Sequence, residues 1–269
     1  MWLDAGDVDG LRAALETTSG LRWVQLPFAG IEKVVAAGLL DTGRTWTCAK
    51  GSYAEPVAEH ALALALAGLR HLPERLAAQT WGAPKGASLY DSDVVILGGG
   101  GITEKLLEQL APFRARATVV RRNPTPLAGA ARTVATEDLH AVLPGALVVF
   151  LALALTPATQ GIIGRRELEL VGPDAWLVNV ARGGHVVTDE LVDVLRAGTI
   201  AGAALDVTDP EPLPDGHPLW GMPNAIITPH TADTPEMVAP LLAARIRANV
   251  DHFARGEELE GLVDVDAGY

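Results

Sequence analysis

The sequence predicts an α/β chain: a doubly wound parallel sheet with a second, smaller domain. Three observations carry this. From Asp91 onward, short apolar runs alternate with helical stretches, the pattern that builds parallel sheets. Four glycines, Gly98-Gly99-Gly100-Gly101, follow the first of these apolar runs. Both ends of the chain depart from the pattern, and 269 residues are enough for one large or two modest domains.

Taken in order, a strand is expected at Trp2 and Leu3 and another over 21–26, followed by the loop Pro27-Phe28-Ala29-Gly30. Glu55-Pro56 opens a long segment to about Arg75 that alternates Ala and Leu. Both residues favour helix and the run is too long for an ordinary strand, so a helix is expected. Trp81-Gly82-Ala83-Pro84 breaks it as a linker. Strands are then expected over 94–97, 118–120, 147–155, 176–180 and 201–207, with a helix over 104–110. A further helix spans 188–197, with Thr188 as its N-cap and Gly198 as its stop. The stretch from Pro235 to about Arg255 is helical and long enough to cross back to the first domain. The expected division is 1–83 plus 236–269 for a substrate domain and 84–235 for a nucleotide-binding domain. There are no internal repeats and no low-complexity segments.

Composition narrows the function. Apolar residues make up 49% and charged residues 20%, as in ordinary globular proteins. A net charge of −12 repels nucleic acid and anionic membrane, so neither is an expected partner. An anionic substrate would need locally placed cations. The single cysteine, Cys48, cannot form an internal disulfide, and no zinc-ligand cluster is present, so no metal is expected and a reducing cytoplasm fits. The N-terminus has neither the basic region nor the apolar run of a signal peptide. The apolar stretch 57–69 is interrupted by Glu59 and His60 and is shorter than the roughly 20 residues of a membrane span.

The glycine turn lies between a strand, Val94-Val95-Ile96-Leu97, and a helix start at Gly101, Ile102 and Thr103. Gly98 permits the tight turn, and Gly100 lets the backbone approach a pyrophosphate. The helix N-terminus offers unpaired N–H groups and a positive dipole end. This is the dinucleotide fingerprint of a Rossmann sheet, with Thr103 in place of the third glycine, where it is expected to push the helix slightly outward. About 20 residues on, where an NAD site carries an acidic residue for the ribose, the chain has Arg121-Arg122-Asn123. Two guanidiniums suit a 2′-phosphate, so NADP is favoured over NAD. The alternative is a pair of solvated surface arginines.

The strongest signal runs from Phe150 to Ala232. It contains Leu151 through Thr156-Pro157 to Thr159, then Asn179-Val180-Ala181-Arg182-Gly183-Gly184, then Leu205-Asp206-Val207. Asp209-Pro210-Glu211-Pro212, His217-Pro218-Leu219-Trp220 and Thr228-Pro229-His230 follow. In this order and at this spacing the motifs closely resemble the D-isomer-specific 2-hydroxyacid dehydrogenases, of the glyoxylate/hydroxypyruvate reductase kind. The resemblance runs from about Leu21 to Gly268 and Tyr269. It implies a Rossmann domain with a smaller, flavodoxin-like substrate domain, and a homodimer in which the interdomain helices and the Trp81 region pack across the two-fold.

Reducing a 2-oxo acid requires a cation for the carboxylate and carbonyl, a proton donor for the developing alkoxide, and a hydride donor held nearby. The resemblance assigns the first role to Arg182 and the second to His230, with Glu211 as its partner. A carboxylate beside an imidazole favours the protonated ring. The resemblance also places Asp206 at the nicotinamide carboxamide, Ala181, Thr156 and Pro157 at the cofactor, and Ala29 and Gly30 at the substrate carboxylate. Lys50 and Tyr53 are expected to face the cleft. His217 reads as structural, and His60, His71, His140, His185 and His252 have no supporting pattern.

The chain departs from the family at its front, which is one or two strand–helix units shorter. A truncated start, a mis-assigned start or a natural deletion would each produce this. A missing central strand would expose sheet edge and apolar surface. A second reading is therefore a cofactor-binding but inactive or regulatory relative, of the kind known as transcriptional corepressors on this scaffold. The intact Arg182, Glu211 and His230 favour the enzyme.

Overall fold

A computed structural model describes residues 7–265 of the chain. The strand expected at Trp2 and Leu3 lies outside the described residues, as do Gly268 and Tyr269. The chain forms two compact units, Met1–Ala54 with Asp233–Tyr269, and Glu55–Ala232.

The first unit begins with α1 (Val8–Thr17), capped by Asp7, whose Oδ1 accepts the Gly10 N–H at 2.7 Å. Strand β1 (Trp23–Gln25), helix α2 (Glu32–Ala36) and strand β2 (Thr45–Thr47) follow, and the two strands pair in parallel. Strand β1 is shorter than the expected 21–26. Leu11, Leu15, Val24, Leu26, Val34 and Trp46 form the core of this unit.

The second unit takes in α3 (Ala54–Leu69) and α4 (Leu72–Ala77). Residues 55–83, read from sequence as part of the substrate domain, thus group with the nucleotide-binding unit. The single helix expected to about Arg75 is split. Pro73 lies at the start of α4, where its missing N–H is harmless, and His71 takes a left-handed φ of 49° at the break. In α3 the buried positions Ala54, Val57, Ala58, Ala61, Leu64, Ala65 and Leu69 recur at helical spacing, which decides the Ala/Leu alternation in favour of helix.

Then come β3 (Asp93–Leu97), α5 (Gly101–Leu110), β4 (Arg116–Val120), β5 (Arg132–Val134), α6 (Leu139–Val142), β6 (Val148–Leu151) and α7 (Arg165–Val171). The unit closes with β7 (Trp176–Asn179), α8 (Thr188–Ala197), β8 (Gly202–Leu205) and β9 (Ala225–Ile227). Seven parallel strands lie in the order β5-β4-β3-β6-β7-β8-β9, the doubly wound arrangement expected. Every residue of β6, β7 and β8 is buried, which explains why these strands read as apolar runs, interrupted at the end of β7 by Asn179. Strand β6 ends at Leu151 rather than Leu155, because after Ala152 the chain leaves the sheet. Thr188 starts α8 but does not cap it. Val187 holds the cap position and the Thr188 hydroxyl donates to Asp209 O at 2.7 Å. The chain returns to the first unit through α9 (Pro235–Arg255).

Trp176 is 2% exposed and lies between two glycines, Gly68 of α3 and Gly202 of β8, where a methyl at either position would overlap the indole. In an ordinary helix, Gly→Ala stabilises by about 1 kcal/mol. Here the overlap reverses the sign, and Gly68→Ala and Gly202→Ala should each cost about 1–3 kcal/mol. Thermal melts check this: a raised melting temperature for Gly68→Ala would show that α3 does not rest on Trp176.

Candidate active site

A parallel sheet brings the C-terminal ends of its strands to one edge, and ligands bind where the winding reverses. In this sheet the chain runs outward from β3 through β4 to β5, then returns to β6 on the other side of β3. The reversal is therefore the crevice between β3 and β6. Gly98 lies in it with φ +111°, and a Cβ there would overlap the carbonyl of Ala152. Only glycine satisfies both the backbone and the space. Gly100 has no atom within 4 Å of where a Cβ would stand, so its backbone is open to a ligand. It is the N-cap of α5 and supplies no side-chain bond, which leaves the first N–H groups, from Gly101 and Ile102 onward, to be satisfied from outside. Thr103 is fully buried, and its hydroxyl donates to Gly98 O at 3.0 Å, tying the helix to the turn. Arg121 follows β4 and lies over the turn, its Cδ 2.8 Å from a Cβ built on Gly99. Arg122 beside it is exposed. An open glycine cradle, an uncapped helix start and adjoining guanidiniums fit a dinucleotide with a phosphate on its ribose. After β6, Thr156 is fixed in a tight turn by Thr159, whose Oγ1 accepts the Thr156 N–H at 2.8 Å, with Pro157 exposed beside it.

The corner after β7 carries Arg182. Buried Asn179 shapes it: Nδ2 donates to Arg182 O at 2.9 Å and Oδ1 accepts the Ala181 N–H at 3.0 Å. The Arg182 guanidinium donates to Ala181 O at 2.6 Å. Gly183 packs onto the Thr208 carbonyl so tightly that a Cβ would overlap it, which joins this corner to the strap after β8. Thr188 braces that strap at Asp209.

The strap presents Glu211, whose Oε1 meets His230 Nδ1 at 2.7 Å. Both side chains are 42% exposed. His230 adopts a left-handed φ of 52°, and its N–H donates to Asp206 O at 2.8 Å and Thr228 O at 2.9 Å.

Asp206, 2% exposed, anchors this loop. Its Oδ1 accepts the Thr228 hydroxyl at 2.5 Å and the Thr231 N–H at 2.9 Å, and its Oδ2 accepts the Ala232 N–H at 3.1 Å. His60 Nε2 stands 3.3 Å from Oδ1 and 3.0 Å from Thr228 Oγ1. Burial pushes the Asp206 pKa up, but the hydrogen bonds from His60, Thr228, Thr231 and Ala232 outweigh it and bring the value down to about 2.

Residues 61–232 match the model of the D-isomer specific 2-hydroxyacid dehydrogenase NAD binding domain, well over half of the chain. The chain belongs to the D-isomer specific 2-hydroxyacid dehydrogenases. It is thus an oxidoreductase with a nicotinamide dinucleotide domain. An uncharacterised Corynebacterium melassecola protein from the proB 3′ region is 44% identical over 256 residues, 93% of this chain and 84% of that protein. Glyoxylate/hydroxypyruvate reductase A of Serratia proteamaculans is 35% identical over 175 residues, 65% of this chain and 55% of the relative. A D-isomer specific 2-hydroxyacid dehydrogenase from Xanthobacter autotrophicus Py2, solved with NADPH and MES, superposes with a TM-score of 0.83 at 31% identity, covering 93% of this chain and 80% of that one.

Within this dehydrogenase the structure joins Glu211 to His230 and ties both to the corner of Arg182 through β8. In the first unit, parallel β1 and β2 bring the Ala29–Gly30 loop beside the turn of Lys50, and the Ala49 N–H donates to Phe28 O at 2.9 Å. Tyr53 is 7% exposed and its hydroxyl donates to Pro27 O at 2.5 Å, so it braces this loop. His217 is structural as read, its Nδ1 accepting the Leu219 N–H at 3.3 Å. His60 belongs to no motif, yet it reaches Asp206 and Thr228 from α3. A histidine within an apolar helix needs a buried polar partner, and that partner is Asp206. Among the described residues no cluster of three or more His, Cys, Asp or Glu is placed to hold a metal, and no helix is long and apolar enough to cross a membrane.

Asp206 has a folded-state pKa below its unfolded value of about 3.9. Its stabilisation is therefore complete above that value and disappears as pH falls through about 2. Asp206→Asn should lose on the order of 2 kcal/mol near neutral pH, a gap that narrows below about pH 4 and is nearly closed at about pH 2. Denaturant melts over a pH series check this, and a gap unchanged down to pH 2 would show that the charge is not what stabilises the loop.

Proposed function

We propose that the chain reduces a small 2-oxo acid, glyoxylate or hydroxypyruvate being the candidates, with NADPH preferred over NADH. The Glu211–His230 pair beside the Arg182 corner carries this reading. Arg182 holds the substrate carboxylate and polarises the adjacent carbonyl through its planar guanidinium. His230, its Nδ1 held by Glu211, presents Nε2 as the proton donor to the oxygen that becomes the hydroxyl, and takes the proton back in the oxidative direction. When bound, the nicotinamide would supply the hydride for the carbonyl carbon. Gly98, Gly100, Gly101 and Ile102 receive the pyrophosphate, Arg121 and Arg122 the 2′-phosphate, and Thr156, Pro157, Ala181 and Asp206 the remainder of the cofactor. Ala29, Gly30 and Lys50 are assigned to the substrate carboxylate. The Xanthobacter relative's NADPH and the Serratia relative's name support the cofactor and the substrates.

The experiment is NADPH oxidation by the purified chain with a panel of 2-oxo acids. His230→Gln should lower kcat at least about a hundredfold, and Arg182→Ala should lower kcat/KM by a similar or larger factor. Arg121→Ser with Arg122→Asp should shift the NADPH/NADH preference toward NADH by tenfold or more, in the range of about 1.4 kcal/mol. Binding of NADPH without turnover of any 2-oxo acid would favour the regulatory reading instead.

We further propose that the chain is a homodimer in the cytoplasm and that the region of α4 and Trp81 supplies the dimer contact. Leu76 is 85% and Trp81 98% exposed, two large apolar side chains five positions apart that a partner surface would cover. Light scattering should give a dimer mass that Leu76→Glu with Trp81→Glu converts to a monomer. A monomeric unmodified chain would refute it.

A further inference from the structure

We propose that His60 is a positioning residue for the reaction, acting through Asp206 on the loop that carries His230. The proposal rests on the reading of His230 as proton donor.

Residues 228–232 are held at Asp206 by four bonds of their own: the Thr228 hydroxyl, the Thr231 and Ala232 N–H groups to the carboxylate, and the His230 N–H to the Asp206 carbonyl. All four come from the loop itself. Among the described residues, His60 is the donor that reaches the same carboxylate from elsewhere, from the helix α3. Its protonation pattern follows from its partners. Thr228 gives its only proton to Asp206, so its oxygen is left as an acceptor. Facing that oxygen and a carboxylate, His60 Nε2 must carry a proton and donate.

The consequence for His230 is geometric. Its backbone sits in the left-handed region, uncommon for a side-chain-bearing residue, and is maintained by its neighbours' bonds. Its ring is 42% exposed and is held on one side by Glu211, so packing does little to aim it. The direction of Nε2 therefore depends on the loop, and the loop on a carboxylate whose orientation is fixed from α3. A 2% exposed carboxylate tolerates the loss of a donor poorly, so without His60 it would turn or recruit water and carry Thr228 with it.

The test compares His60→Leu, which removes the donor, with His60→Gln, whose amide nitrogen stands where Nε2 stood. The full chain is used, with NADPH and glyoxylate. His60→Leu should lower kcat by about ten- to a hundredfold, with KM for glyoxylate within about twofold. His60→Gln should recover most of the loss. Independently of activity, the His230 ring is followed by nitrogen-15 NMR and assigned by its disappearance in His230→Gln. The signal of the proton between Nδ1 and Glu211 should broaden or shift in His60→Leu and return in His60→Gln. An unchanged His230 signal in folded His60→Leu, or equal losses of kcat in the two variants, overturns the proposal. If His60→Leu does not fold, His60→Asn, whose amide ends where Nδ1 stood and falls short of Asp206, takes its place, and an unchanged His230 signal in that variant overturns the proposal equally. The reading of His230 is judged separately: if His230→Gln keeps its kcat, the proton-donor role fails, while the NMR comparison still decides whether His60 positions the ring.

Discussion

A carboxylate removed from water is tolerated only when hydrogen bonds replace its hydration, and Asp206 meets that condition in a particular way. Its own backbone N–H is held by Asn179 O at the end of β7, so it belongs to the sheet. Its side chain and carbonyl then bind the loop from Thr228 to Ala232. A rigid element thus dictates the position of an irregular one. The same solution recurs at Asn179, which uses its amide to shape the corner that presents Arg182. Two buried polar side chains at neighbouring strand ends convert sheet geometry into placement of the Arg182 corner and the His230 loop. An apolar residue at either position would preserve the sheet and release the loop.

Other turns along the edge are built from steric exclusion instead. At Gly98 and Gly183 a single methyl would collide with a neighbouring carbonyl, so each is fixed by the backbone beside it. Gly100 is different, since nothing occupies the space a side chain would take. The first two positions need glycine for the fold, and the third leaves room for something the fold does not supply. Thr103 shows how the helix joint manages without a third glycine. Its hydroxyl reaches the turn's carbonyl, so the extra atoms enter a hydrogen bond rather than a void.

The sheet was legible because its central strands are buried on both faces and read as apolar runs. The edge strands β5 and β9 were not, since three residues each carry too little pattern to separate from a loop. The break between α3 and α4 was obscured by continuous helix formers, although Pro73 marked it. In the site, Arg182, Glu211 and His230 were legible from motifs, and their partners were not. Thr188 resembled a cap because the cap rule is local, whereas its hydroxyl bonds a residue 21 positions away. His60 had no local signal for the same reason: its partner lies on a strand end that only the fold brings to α3. Chemistry that depends on residue type can be read from spacing, but chemistry that depends on who holds whom requires the topology.

This bears on the choice between a reductase and a protein that only senses cofactor. Binding a dinucleotide calls on a glycine turn and an uncapped helix start. It does not require a histidine in a strained backbone conformation with its Nδ1 held by a carboxylate at 2.7 Å. The buried Asp206 carboxylate also fastens the loop beneath that histidine, a task separate from any contact with the cofactor. Strain and buried charge are costs a fold sheds when nothing depends on them. Their joint presence around one imidazole, at the end of the sheet where Arg182 also stands, favours proton transfer as the task this edge performs.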